Sequence, residues 1–184
     1  MTSEEDLGGA ELLSRVHLLL EAMVVAPGDA SLLEAAAAQA AVALGADSVV
    51  LGTMSSRDAL HAFLWPGVGG AMHEIGALQV ESRFPLTDTI VRGEPIWLSS
   101  PSEIRAFYPY AGGLWGRAFA AVPLMVRQHP VGALGVIYDR AGHYFTGPER
   151  AFLAAVADIC AIMVSDKPTL TWTADPANRR SLHP

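Results

Sequence analysis

The sequence predicts an α+β domain built on an antiparallel sheet, and three observations lead there. Apolar positions recur four, three and four residues apart near both ends of the chain: Leu12, Val16, Leu19 and Met23, then Phe152, Val156, Ile159 and Met163. That spacing puts each set on one helical face. Between them lie two pairs of strand-like runs, each pair joined by a short turn-rich connection, which indicates hairpins and not parallel crossovers. Finally, 51% of the 184 residues are hydrophobic and 17% are charged, enough for one packed core and too apolar for a disordered chain. The helices must then cover the sheet.

The elements follow in order. Residues 1–9 are polar with two glycines and are expected to be a disordered N-terminus, with the domain at 10–165. The first helix runs from Ala10 to about Ala26 and stops at Pro27-Gly28-Asp29. Asp29 or Ser31 caps a second helix that continues through an alanine run to Leu44, with Gly45 after its end. The alanines allow close approach, so this helix should lie flat on the sheet. Ser48-Val49-Val50-Leu51 reads as a buried strand, Ser55-Ser56-Arg57-Asp58 as a turn, and Leu60–Trp65 as the returning strand. Pro66–Gly70 is a loop, and 71–93 is mixed, with a short helix around Asp88–Arg92 capped by Thr87 or Asp88. Pro95–Leu98 is a short strand, Ser99–Tyr110 a loop with one helical turn from Ser102, and Ala111–Gly116 a glycine-rich segment.

Ala118–Val126 and Val131–Tyr138 form the second hairpin across a four-residue connection, Arg127–Pro130. Pro123 offers no ladder donor and belongs at an edge or bulge. Thr146, Pro148 and Glu149 carry the signature of a capped helix start. Residues 166–184 are a polar tail or linker.

Charge narrows the partners. Twelve basic residues against nineteen acidic ones give −7. Such a chain does not attract phosphate backbones or anionic lipid, so nucleic-acid and membrane partners are not expected. The N-terminus is acidic where a secretory leader is basic, and apolar runs are too interrupted to cross a membrane; the chain reads as cytoplasmic. One cysteine excludes an internal disulfide framework and a Cys-based zinc cluster.

Gly93-Glu94-Pro95-Ile96-Trp97-Leu98, Ala121-Val122-Pro123-Leu124, Val131-Gly132-Ala133-Leu134-Gly135-Val136, and Phe145-Thr146 followed by Glu149 resemble, in that order and spacing, the GAF domain, a small-molecule sensor module of signalling proteins. The resemblance covers roughly Leu12 to Val164. It implies five or six antiparallel strands, terminal helices on one face, and a ligand pocket roofed by loops on the other. The stretch from Pro95 to Pro109 is similar to sensor domains attached to bacterial serine/threonine phosphatases and histidine kinases, which makes a phosphatase or kinase an output partner to consider. Dimerisation through terminal helices is common in the family, so a homodimer built on the two helical seams is expected.

No nucleophile elbow, phosphate loop or His-Glu-x-x-His motif occurs. His73-Glu74 lacks a further ligand at motif spacing and reads as a solvated loop pair. His61 reads as a hydrogen-bonded structural histidine, and His129 and His143 as exposed turn residues. Cys160 falls near the apolar face of the last helix and reads as a buried free thiol. The enzymatic branch that the resemblance brings in, free methionine sulfoxide reductase, uses several loop cysteines, and this chain has none there. The bilin, haem and cyclic-nucleotide branches are not indicated either, so no cofactor is assigned.

What remains for a small molecule is the aromatic set of the middle: Phe84, Trp97, Tyr108, Tyr110, Trp115 and Phe119, with Arg117 beside them. Trp97 alternates with Ile96 and equally suits a core position, while Trp115, framed by glycines, suits a lid. The expected function is non-catalytic sensing of a small molecule or partner, signalled through the terminal helices. An enzyme on the same scaffold and a ligand-free interaction module are the alternatives.

Overall fold

The computed structural model describes residues 2–25, 30–67, 69–110, 116–140 and 142–165, with the side chains of 2–7, 22–25, 30 and 31 left aside. Six strands form one antiparallel sheet: β1 (Ser48–Met54), β2 (Ala59–Trp65), β3 (His73–Gln79), β4 (Ile96–Leu98), β5 (Ala118–Val126) and β6 (His129–Tyr138). Their spatial order is β3-β2-β1-β6-β5-β4. Five helices accompany them: α1 (Thr2–Val25), α2 (Ala30–Leu44), α3 (Pro85–Arg92), α4 (Pro101–Phe107) and α5 (Gly147–Ser165).

Side chains of a strand alternate between faces, and here both faces are buried. Val49, Leu51, Phe63, Ala120, Val122, Leu134, Val136 and Tyr138 point to one side, where α1, α2 and α5 lie. Ala36, Ala37, Ala40 and Ala41 of α2 are 0–2% exposed, so this helix does lie close on the sheet. On α5, Phe152, Val156, Ile159 and Met163 are all buried in the same core, as is Leu19 of α1, with Leu12 and Val16 packed against it. The described side chains of both helical seams are therefore used inside the molecule, while the Met23 side chain lies outside those described. Turning the α5 set outward would re-expose each side chain at a cost of about 1.5–3 kcal/mol apiece.

Local chemistry explains the ends of the elements. Thr146 and Glu149 form a reciprocal cap on α5: the Thr146 amide donates to Glu149 Oε2 at 2.7 Å, and the Glu149 amide to Thr146 Oγ1 at 3.4 Å. Ser100 Oγ accepts from the Glu103 amide and starts α4. Tyr138 donates its buried hydroxyl to the Leu44 carbonyl at 3.1 Å, fastening the end of α2 to β6. Pro123 lies beyond the end of β4, which pairs only Ile96–Leu98 with Ala121–Phe119, so its missing donor falls on a free edge.

The structure differs from the sequence reading in five places. α4 is a seven-residue helix, Pro101–Phe107, where a loop with one helical turn from Ser102 is expected. α1 begins at Thr2, not Ala10; an acidic run such as Glu4-Glu5-Asp6 suits a helix N-terminus. Residues 73–79 form a strand, β3, paired with β2 and interrupted by a bulge between Ala62 and Phe63. Gly76 interrupts the β3 run, and its φ of +123° is one that side chains rarely adopt. α3 starts at Pro85, three residues before the expected Asp88, because proline suits the first helical position. The β5–β6 connection is a two-residue turn, Arg127-Gln128, not four residues. Of the two caps expected for α2, Asp29 lies outside the described residues, and of Ser31 only the helical backbone is described.

That turn is strained. Arg127 and Gln128 both hold positive φ, 47° and 68°. A two-residue hairpin needs this to match strand twist, and Asn-Gly meets the need without a Cβ penalty. Replacing Arg127→Asn together with Gln128→Gly is expected to raise stability by about 1 kcal/mol and Tm by roughly 2–4 °C in thermal denaturation.

Candidate functional site

The sheet face opposite α1, α2 and α5 carries a second, smaller core. Val50, Leu60, Ala62, Phe119, Ala121, Ala133 and Ile137 rise from the strands. Leu86 and Ile90 of α3, Leu98 of β4, and Ile104 and Tyr108 of α4 and its end close over them. Gly135 makes room: a Cβ there would sit 2.8 Å from the Phe119 ring and from Val50, so glycine lets the ring lie across the strands. This is a physical reason for glycine in Ala133-Leu134-Gly135-Val136.

The polar groups of this face converge on Asp88. Tyr108 donates its hydroxyl to Asp88 Oδ2 at 3.1 Å, and Arg92 donates to the same oxygen at 3.3 Å. Burial, reinforced by the Asp88 charge and hydrogen bond, pushes the Tyr108 hydroxyl well above its ordinary pKa, so it stays a neutral donor. Thr87 Oγ1 accepts from the Phe84 amide and donates to the Phe84 carbonyl, both at 3.0 Å, which fixes the start of α3. Thr89, fully buried, donates to the Glu94 carbonyl and ties the end of α3 to the entry of β4.

Of the seven residues taken from the sequence, three come together: Phe119 and Tyr108 are buried in this face, and Phe84 packs against it. Trp97 does not join them. It is next to Ile96 and Leu98 in β4, so alternation sends it through the sheet to the α5 side. There its ring lies 5.3 Å from Phe145, with the Arg150 guanidinium 5.0 Å away. Tyr110 is 96% exposed. Arg117 is exposed, and its amide donates to the Tyr138 carbonyl at 2.6 Å. Trp115 lies outside the described residues. Sequence reasoning missed Leu86, Ile90 and Ile104; Pro85 before a Leu86–Ile90 pair four apart was the available signal.

The histidines also find their places. His73 and Glu74 are neighbours in β3, not in a loop, and point to opposite faces, so they cannot grip one ion together. His61 Nδ1 lies 3.5 Å from Glu74. His143 corrects the sequence reading: it is not an exposed turn residue. Its side chain is only 13% exposed, stacked 3.9 Å from Tyr138 and edge-on to Phe145 at 4.7 Å. Its Nε2 lies 3.4 Å from Glu149 Oε1 without a hydrogen bond. Among the described residues no group of three or more His, Cys, Asp or Glu is placed to hold a metal, and no helix is long and apolar enough to cross a membrane.

The one sulfhydryl, Cys160, is 1% exposed on α5, in the core on the other side of the sheet. Burial pushes the thiol up to about 12, so it holds its proton at neutral pH.

The GAF domain profile matches residues 30–165, from α2 to the end of α5. The chain belongs to the GAF domain family. Solved structures agree on the fold. The GAF domain of a phosphoenolpyruvate-protein phosphotransferase from Acinetobacter has a TM-score of 0.69 at 16% identity, covering 85% of this chain and 94% of that one. Free methionine-R-sulfoxide reductase from Neisseria meningitidis, in complex with its substrate, has 0.65 at 15%, covering 85% and 90%. The GAF-B domain of DevS from Mycobacterium smegmatis has 0.57 at 19%, covering 74% and 92%. No curated protein matches the sequence. This GAF domain thus has both GAF domains of other proteins and an enzyme among its structural neighbours.

The His143 site has a pH consequence. Burial, helped by Arg140 and opposed by Glu149, lowers the pKa of His143 below the usual 6.5. The unfolded chain therefore binds the proton more readily. The contribution of neutral His143 is complete above about pH 6.5 and is lost as pH falls through the lowered folded value. Urea unfolding at pH 7.5 and 5.5 should show a smaller acid loss for His143→Phe, which keeps the ring stack, than for the parent chain.

Proposed function

We propose that this GAF domain is a non-catalytic sensory module of bacterial signal transduction. It takes a small molecule or partner on the α3–α4 face in the cytoplasm and reports through its terminal helices. The observation that carries the reading is the position of Cys160. Thiol-based reduction of a sulfoxide needs a thiolate to attack and a second thiol to resolve the product as a disulfide. This chain has one cysteine, protonated and sealed on the side of the sheet away from Phe84, Tyr108 and Phe119. Those residues instead form an apolar face beside one oriented polar cluster, Asp88, Tyr108 and Arg92, which suits recognition.

Leu60, Leu86 and Phe119 are each 0% exposed on that face, and this favours a second reading, an interaction module whose interior is filled by its own side chains. Native mass spectrometry of freshly purified protein separates the two. A co-purifying small molecule is the expected result for sensing, and bare protein favours the interaction module. Incubation with free methionine sulfoxide and thioredoxin should give no turnover above buffer. Turnover, above all turnover that survives Cys160→Ser, would overturn the non-catalytic reading.

Signalling through helices also calls for a second copy of the chain, with a kinase or phosphatase as a candidate output partner. Since Leu19, Val156 and Ile159 are committed to the core, the exposed large apolar side chains among the described residues of α1 and α5 are Leu13, Leu18, Leu20 and Ile162, and of these Leu13, 71% exposed, and Leu20, 45% exposed, lie seven residues apart on one face of α1 and suit such a dimer. Sedimentation should find a dimer at micromolar concentration and a monomer after Leu13→Glu with Leu20→Glu. A monomeric parent chain would reject the dimer.

A further inference from the structure

β4 is three residues long, yet it reaches both cores. Ile96 and Leu98 pack into the α3–α4 face, and Trp97 packs into the α5 face. Its far end is held by an unbroken series of short contacts. Glu103 of α4 accepts from the Ser99 amide through Oε2 at 2.6 Å. The Ser99 carbonyl accepts from the Gly142 amide at 3.0 Å. Gly142 leads directly into His143 and Phe145, whose rings meet at 4.7 Å, and Phe145 lies 5.3 Å from Trp97. Arg150, in the first turn of α5, donates through Nε to the Phe145 carbonyl at 3.0 Å and spreads its guanidinium 5.0 Å from the Trp97 ring.

We infer that α4 and the first turn of α5 are energetically coupled through the end of β4, by way of Glu103, Ser99, Gly142, Phe145 and Arg150. Ser99 is the joint. It sits one residue past Leu98, so a displacement of α4 that moves its amide also moves the carbonyl that holds Gly142. Trp97 ties the same strand to Arg150 by a second route. A side chain of α4 thereby bears on the helix start that caps the last element of the fold, although no contact joins α4 to Arg150 directly among those described. The coupling is a property of the protein without ligand. Its use as a signal path rests on the function proposed above, and failure of either one leaves the other standing.

The test compares Glu103→Ala, Glu103→Gln, Arg150→Leu and the double variant Glu103→Ala with Arg150→Leu. Glu103 is exposed, so its replacements should fold. Glutamine keeps a carbonyl acceptor for the Ser99 amide and alanine does not. In a double-mutant cycle read by urea unfolding, the effect of Arg150→Leu on the unfolding equilibrium constant is expected to shrink by about threefold or more when Glu103 is already alanine. In hydrogen exchange, amides of residues 143–152 should exchange about threefold faster or more in Glu103→Ala and as in the parent chain in Glu103→Gln, while the β1–β2 hairpin does not change. Strict additivity in the cycle would overturn the inference. So would acceleration in Glu103→Ala that is equal in residues 143–152 and the hairpin, or absent from both.

Discussion

A strand has two sides, and the central strands of this domain must bury both. β1, β6 and β5 lie inside the sheet, and their side chains alternate between a large core under α1, α2 and α5 and a smaller one under α3 and α4. The period of two therefore decides the fate of every residue near the candidate site. Phe119 faces one way and Ala120 the other; Ile96 and Leu98 face one way and Trp97 the other. Slipping β5 by one residue would put Phe119 on the wrong side, and slipping β6 would do the same to Tyr138 and leave its hydroxyl without the Leu44 carbonyl.

The fold was largely legible in the sequence because its signals are local. Four-three-four apolar spacing marks α1 and α5, the Thr146–Glu149 pair marks the start of α5, and two strand-like apolar runs joined by a short connection mark each hairpin. β3 escaped because His73-Glu74-Ile75-Gly76 carries half-exposed polar residues and a glycine, as an edge strand does, and so looks like a loop. α4 escaped as a full helix because seven residues give too short a pattern. The hairpin turn looks longer in the sequence than it is, because Arg127-Gln128 lacks the usual glycine and holds left-handed backbone nonetheless.

The site was less legible, for a different reason. Aromatic residues in a loop-rich stretch suggest a pocket wall, but sequence proximity does not say which face they reach. Alternation separated Trp97 from Phe84, Tyr108 and Phe119, and α4 left Tyr110 in water. The turn-like neighbours of His143 suggest exposure, whereas the meeting of three rings at one spot, Tyr138, His143 and Phe145, depends on how the chain bends after β6. Cys160 was legible because its helical position fixed its face.

The outer rim of the sheet shows how this GAF domain tolerates an open border. β3 exposes backbone donors and acceptors along one side, an invitation to zipper with another molecule. The irregular pairing at Ala62/Phe63 and the unusual backbone of Gly76 break that ladder in its middle, and the 3.5 Å approach of His61 to Glu74 sits beside the break. A foreign strand could therefore run in register for only part of its length. The kink works as insulation, and straightening it would turn a quiet border into an adhesive one.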